Sequence, residues 1–542
     1  MILPVVEREL RAAARRATTY RMRFFAGLAA MVVWLVLLMG SRVALPAQLG
    51  HHLFNALGVL ALGFSMLAGV FLTSDCVSEE KREGTLGLLF LTDLKGYDIV
   101  LGKLAAASVH AFFGLVAVFP MLALPLLMGG VSGAEFARVI LVLSATLFLS
   151  LALGMFVSSI SVEARHSTSG AFLLVILFAG ICPALWWLQS IVFKARLFDP
   201  LLLPSPGYAY LKALDLFYLP RSGAGEFWRS LCTIGALGLG CVAVANFILP
   251  RVWQQGGSFR VRAARGSVAD MVRGRGGGRE RGRGFGRALV SLQENPYSWL
   301  VGRDVSSRRI ASGLLRVLTP IWLTFVVVSI VAAKHVEAFI TCIFLAYGMH
   351  LVLKVQIALE ASRRASEDRH SGALELLLVT PLPVRTILAG HREALARIFK
   401  RPIRILVLVN LTMMAMVLWF PKRLDIGGRD DQLMFCELFL GGILMLLLDS
   451  RALCWVGMWR GLKAKRHHRA VVATLGTVMG LPWALVFLQV FVEWGFHSTA
   501  QVAMVFALWF GVGAVLDLVL GARTRRRLER EFRGAAAISN DQ

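Results

Sequence analysis

Long uncharged blocks alternate with short basic connectors along the whole chain. In the first half the blocks are Phe24–Met39, Leu53–Leu72, Ala105–Met128, Val139–Ile160, Gly170–Phe193 and Leu231–Pro250. In the second they are Val317–Ala333, Ala338–Val352, Ile405–Phe420, Leu433–Leu448, Ala470–Val492 and Ala500–Leu520. Extended by a turn of interfacial residues, each block can cross about 30 Å of hydrocarbon as a helix. Helices satisfy every backbone group internally, which lipid demands. The pattern therefore predicts an all-α integral membrane protein with about twelve transmembrane helices, about six in each half.

One connector occurs twice. The first copy reads Ser78-Glu79-Glu80-Lys81-Arg82-Glu83-Gly84-Thr85-Leu86-Gly87-Leu88-Leu89-Phe90-Leu91-Thr92-Asp93-Leu94. The second reads Ser366-Glu367-Asp368-Arg369-His370-Ser371-Gly372-Ala373-Leu374-Glu375-Leu376-Leu377-Leu378-Val379-Thr380-Pro381-Leu382. Ile99 and Gly102 follow the first copy as Ile387 and Gly390 follow the second. Other landmarks recur in the same order. Amphipathic segments Pro4 to Arg23 and Pro296 to Arg316 precede the two halves, and Gly154-Met155-Phe156 with Arg165-His166 is echoed by Gly457-Met458-Trp459 with Arg466-His467-His468. Tandem duplication follows, with parallel halves about an axis along the membrane normal. The halves are 1–250 and 294–521. Residues 251–293 form a Gly/Arg-rich linker unable to build a core, and 522–542 a basic tail expected on the membrane surface.

Each copy is charged first and apolar afterwards. Acids at the start of a helix suit its dipole, Gly84 and Gly372 allow a break, and Leu86, Leu89 and Phe90 then share a face, as do Leu374, Leu377 and Leu378. Such a short helix, protruding from the membrane, suits a groove on another protein. The plainer alternative is an interfacial helix that only caps the bundle.

Composition agrees with the membrane reading. Of 542 residues 57% are hydrophobic and 17% charged, with mean hydropathy +0.67, which excludes a soluble protein. The net charge of +25 does not signal nucleic acid, because the Arg and Lys residues gather at connectors on one face. With an even number of spans, Arg8 to Arg23, the central linker, Lys463 to Arg466 and Arg523 to Arg527 all fall on one side, so both termini are expected to be cytoplasmic. The Lys194–Arg229 loop dissents; its Pro, Tyr and Phe content suggests interfacial helices. The Gly-Arg run Arg273–Arg279 has an RNA-binding alternative, though basic linkers beside membranes more often touch anionic lipid. The seven cysteines have no zinc or redox spacing. The charged N-terminus reads as an uncleaved anchor.

The repeated connector, the amphipathic elbow before each half and the span count resemble the permease subunits of ABC-2 type transporters. The resemblance covers nearly the whole chain. It implies that each copy is a coupling helix seated in a cleft of an ATP-binding subunit, the role falling on Glu79, Glu80, Gly84, Thr85, Leu86 and Leu89, and on Glu367, Asp368, Gly372, Leu374, Glu375 and Leu377. Departures exist: Glu83 becomes Ser371, Lys81-Arg82 becomes Arg369-His370, and Asp93 stands where the second copy has Pro381. The two loops are therefore expected to couple unequally. The resemblance further implies an inner-membrane exporter, two ATP-binding partner subunits carrying ATP and Mg, contact with membrane lipid, and room for an accessory subunit. No Gly-x-x-x-x-Gly-Lys-Ser/Thr phosphate loop occurs in the chain, so it is expected to hold no cofactor of its own and not to hydrolyse ATP alone.

Ionisable residues at membrane depth are costly and often functional. They are His110, His350, Lys354, Glu437, Asp449 and Asp517, of which Glu437, Asp449, His110 and His350 are the candidates for a substrate path. Bland readings stand beside them: a local pair of Asp449 with Arg451, and snorkelling of His350 and Lys354. No paired carboxylates in an apolar setting, metal-spaced His cluster or nucleophile motif is seen, which argues against a polytopic membrane enzyme. An ion-coupled secondary transporter should pair acids near the midplane, whereas the acids here lie mostly towards span ends.

Overall fold

In the computed structural model the described residues are 27–28, 31, 46–91, 95–186, 199–220, 222–252, 305–331, 336–370, 373–421, 424, 426, 428–464, 467–480, 482–483 and 499–537. Among them there is no strand. Nine helices among the described residues are long and apolar enough to cross a membrane, and the chain is a multi-pass, all-helical membrane protein. Of the remaining blocks, Phe24–Met39 lies almost wholly outside the described residues. The other two appear as shorter apolar helical stretches, Leu315–Val327 and Arg469–Gly480. The segment 4–23 and the linker 253–293 lie outside the described residues, as does Gly372.

The described residues divide into two compact units, one up to Val252 and one from Val305 onward. The first unit contains α1 (Pro46–Leu72), α2 (Cys76–Glu83), α3 (Thr85–Leu91), α4 (Gly96–Val116), α5 (Phe119–Leu127), α6 (Gly133–Ile160), α7 (Ala164–Ile176, continued by a π turn Leu177–Ile181), α8 (Pro206–Ala213), α9 (Asp215–Tyr218) and α10 (Gly223–Val252). At its centre α6 packs on α1 and α10. Lipid offers little hydrophobic reason for helices to associate, so close backbone approach at small residues and interhelical hydrogen bonds do that work. Here Thr73 Oγ1 donates to Leu151 O at 2.9 Å, Ser150 Oγ donates to Ser65 O at 2.6 Å, and a Cβ on Gly69 or Gly154 would strike the facing backbone.

The Pro-rich loop of this unit is ordered as α8 and α9, which dock on the bundle end rather than lying free. Tyr210 is buried there, its hydroxyl 3.4 Å from Asn55 O; burial pushes its phenol well above the usual tyrosine range. Lys212 and Tyr208 both hold Glu226, at 2.7 Å and 2.9 Å, and Arg138 pairs with Asp215 and lies 3.9 Å over the Tyr218 ring.

The second unit contains α11 (Val305–Val331), α12 (Val336–His370), α13 (Ala373–Val379), α14 (Val384–Trp419), α15 (Arg429–Lys463), α16 (His467–Leu475, continued by a π turn Gly476–Gly480) and α17 (Thr499–Ala537). Helix α15 is central, against α12, α14 and α17. Its Gly457 and Gly461 face Ala361 and Ser362 of α12 so closely that a Cβ would collide with them. The residues set apart in the sequence as a basic tail continue α17 as far as Ala537, and Leu528 and Phe532 are buried in a cluster with Leu374, Ile387 and Leu462. An amphipathic stripe on a basic helix explains this: the Arg residues stay outside while the apolar stripe finds α13 and α14.

Candidate functional site

Each copy of the repeated motif, in its own unit, carries the end of one helix and a short apolar helix after it. Helix α2 ends at Glu83, and Gly84 caps it with φ +76°, a left-handed conformation that favours glycine. Helix α3 then turns away. In the second unit α12 ends at His370 and α13 begins at Ala373. Leu86 and Leu374, at corresponding positions, are both buried, and so are Ile99 and Ile387. Leu89 and Leu377 are packed against the same cores. The other stripe of each short helix faces outward: Leu88 and Leu91 are 64% and 81% exposed, and Leu376 and Val379 are 75% and 87% exposed. The face picked out in the sequence by Leu86 and Leu374 thus serves internal packing, and the apolar surface left open lies two positions along.

The acids divide in the same way. Glu80 is turned into the unit, where Lys103 Nζ meets it at 2.7 Å and Thr85 Oγ1 donates to it at 2.6 Å. Asp75 takes a two-pronged bond from Arg82 at 2.8 Å and 2.9 Å. Ser158 Oγ of α6 accepts from the Val77 and Ser78 backbone N–H groups at 2.9 Å and 3.0 Å, capping the first turn of α2. Lys81 reaches the carbonyls at the C-terminal end of α6, among them Ser158 at 3.5 Å and Ser161 at 3.4 Å, where the helix dipole favours a cation. Glu79 is half-buried, and Glu83 and Gly84 are exposed.

In the second unit the anchoring is different. Glu360 accepts from Arg363 at 2.9 Å and Arg364 at 2.6 Å, and Arg363 also pairs with Glu367. Asp368 and His391 occupy the positions of Glu80 and Lys103 and line one cavity of about 20 Å3 beneath α13. Glu367 and Glu375 are exposed. The braces from α17, Arg385 to Glu529 at 3.5 Å and Lys463 to Glu531 at 3.2 Å, belong to this copy.

The residues considered for a substrate path do not converge. His110, in the first unit, has Nδ1 3.0 Å from Ala106 O of its own helix. Glu437 lines an open apolar groove of about 480 Å3 between α15 and α17, with Leu433, Leu440, Ala507 and Phe510. His350 and Asp449 do line one small cavity of about 20 Å3, with Lys354, Tyr347, Trp483 and Trp509. The partner of Asp449 is Lys354 of α12, across the bundle, so the pairing is not the local one with Arg451 that sequence spacing suggested. Asp517, in sequence an isolated charge at depth, lies beside Asp449, although neither of its carboxylate oxygens receives a hydrogen bond. Paired carboxylates in an apolar setting are therefore present, where the sequence reading found none. Lys354, Asp449 and Asp517 all lie near the middle of their helices, because those helices run on well beyond the apolar blocks. Only contacts between distant segments reveal the group; helical spacing along one segment carries no sign of it.

Comparison with protein-family models and with curated proteins gives no match for this chain.

Proposed function

We propose that this chain is the membrane-spanning permease subunit of an ATP-driven transporter of the ABC-2 type, with two six-helix halves fused in tandem. One observation carries the reading. Two copies of one motif, in separate units, each bury one leucine stripe and leave an equivalent stripe open beside exposed acids: Leu88 and Leu91 with Glu83, Leu376 and Val379 with Glu375. A surface exposed at both places is explained by an external partner that uses both. In this reading separate ATP-binding subunits, carrying ATP and Mg, cover α3 and α13. Their closure on ATP drives α3 and α13 and rocks the spans they are fixed to, and the direction is export. The chain sits in the inner membrane with both termini cytoplasmic, in contact with lipid and not nucleic acid.

Purification of the tagged full-length chain in mild detergent, with mass spectrometry of what stays bound, tests this. An ATP-binding subunit should be recovered with the native chain and lost from Leu88→Glu/Leu376→Glu, which changes side chains that are mostly exposed. A solitary chain even after crosslinking, or an ATP-binding subunit retained by that variant, would remove the basis of the proposal.

A further inference from the structure

Lys354, Asp449 and Asp517 come from α12, α15 and α17 and have exposures of only 7%, 3% and 3%. Lys354 is bound to Asp449. Both carboxylate oxygens of Asp517 are enclosed and receive no hydrogen bond, although they stand beside the second acid. Two carboxylates against one ammonium leave one negative charge without a counterion in an apolar bundle. An uncompensated charge there is far more costly than a paired one.

The neighbours do not supply the missing positive charge. Asn410 Nδ2 donates both to Leu406 O at 2.7 Å and to His350 Nε2 at 2.8 Å. The first bond fixes the amide, so Nε2 is an acceptor and the ring is uncharged. Tyr347 is stacked on that ring, and the π turn Gly476–Gly480 brings no ionisable side chain. The cavity beside Lys354 and Asp449, which Asp517 does not line, measures about 20 Å3, room for one water-sized occupant.

We propose that this cluster binds one monovalent cation, a proton or an alkali ion, held by Asp517 and Asp449 beside Lys354. Proton and alkali ion share the chemistry the site demands, one positive charge on a carboxylate pair with little volume. A divalent ion would bring two positive charges where the cluster lacks one. The assignment holds whether or not the chain is an ABC-2 permease.

The test is infrared difference spectroscopy and thermal unfolding of the full chain in lipid nanodiscs, native against Asp517→Asn, across pH and across Na+ or K+ concentration. If the occupant is a proton, a carboxylic-acid C=O band is present in the native chain, titrates with pH, ignores alkali ions and is lost in Asp517→Asn. An alkali ion would instead give no such band, but a rise in unfolding temperature with that ion, absent from the variant. If Asp517→Asn fails to fold, Asp517→Glu keeps the charge; it should retain the response with the band frequency or ion midpoint displaced. The proposal is overturned if the native chain shows neither response, or if the variant used leaves the response unaltered.

Discussion

Lys103 Nζ lies 2.7 Å from Glu80 Oε1, with both side chains more than four-fifths buried. This bond ties the last charged turn of α2 to the first span that follows it. Glu80 therefore acts by holding α3 at its angle, and its loss should reach any partner of α3 indirectly. A double-mutant cycle with Glu80→Gln and Lys103→Met should show a coupling energy of about 1 kcal/mol in unfolding. Independent, additive losses would mean the pair is incidental.

Gly84 joins α2 to α3 with φ +76°, and an added Cβ there would meet nothing within 4 Å. Any cost of substitution is thus one of backbone conformation alone. Gly84→Ala should destabilise by about 1 kcal/mol, Gly84→Asn by less and Gly84→Val by more. Thermal unfolding of the three variants gives the ranking, and equal midpoints would contradict it.

Leu86 and Leu88 sit two positions apart on one short helix, the first 2% and the second 64% exposed. Leu86→Ala should cost about 2–4 kcal/mol of stability, as large-to-small changes in a packed core do. Leu88→Ala should leave stability within about 0.5 kcal/mol. The same split is expected between Leu374 and Leu376, and unfolding midpoints that failed to separate the members of each pair would reverse the assignment of faces.

These contrasts mark how far the sequence could be read. Uncharged length located nine spans among the described residues, because the bilayer leaves the chain so few solutions, and the break at Gly84 followed from residue type and position. The inward face of α3 was also legible as a Leu86–Leu89–Phe90 stripe. What that stripe touched was not, since a one-sided helix is drawn alike to its own bundle and to a partner. The roles of Lys81 and Ser158 were hidden for another reason: their partners lie on a different helix, and nothing local in the sequence marks them. The Lys354, Asp449 and Asp517 group was scattered over three segments and reads as isolated charges until the helices are packed.

Close helix approach gives a sharper test of packing than any apolar side chain. A Cβ on Gly69 would overlap the Ser150 backbone, and one on Gly461 would overlap that of Ser362, whereas Gly235 in α10 faces open space. Gly69→Ala and Gly461→Ala should each lose about 1–3 kcal/mol, the usual cost of overpacking. Gly235→Ala should be neutral or slightly stabilising. Thermal unfolding in the same detergent compares all three, and a Gly235→Ala loss as large as the other two would argue against these contacts.

The ion pair of Lys354 and Asp449 makes the last case, because removing one partner and removing both should differ in kind. Lys354→Met leaves Asp449 and Asp517 buried together without the ammonium, which should cost about 3–5 kcal/mol. Asp449→Asn leaves one buried ammonium and one buried carboxylate, so charges balance and the loss should be smaller. In Lys354→Met/Asp449→Asn one carboxylate remains where Lys354→Met has two, and stability should recover part of the way towards the native value. Unfolding of the three variants decides the matter. If the double variant is as unstable as the sum of the single changes, the two residues are not acting as a pair, and the charge argument built on them fails.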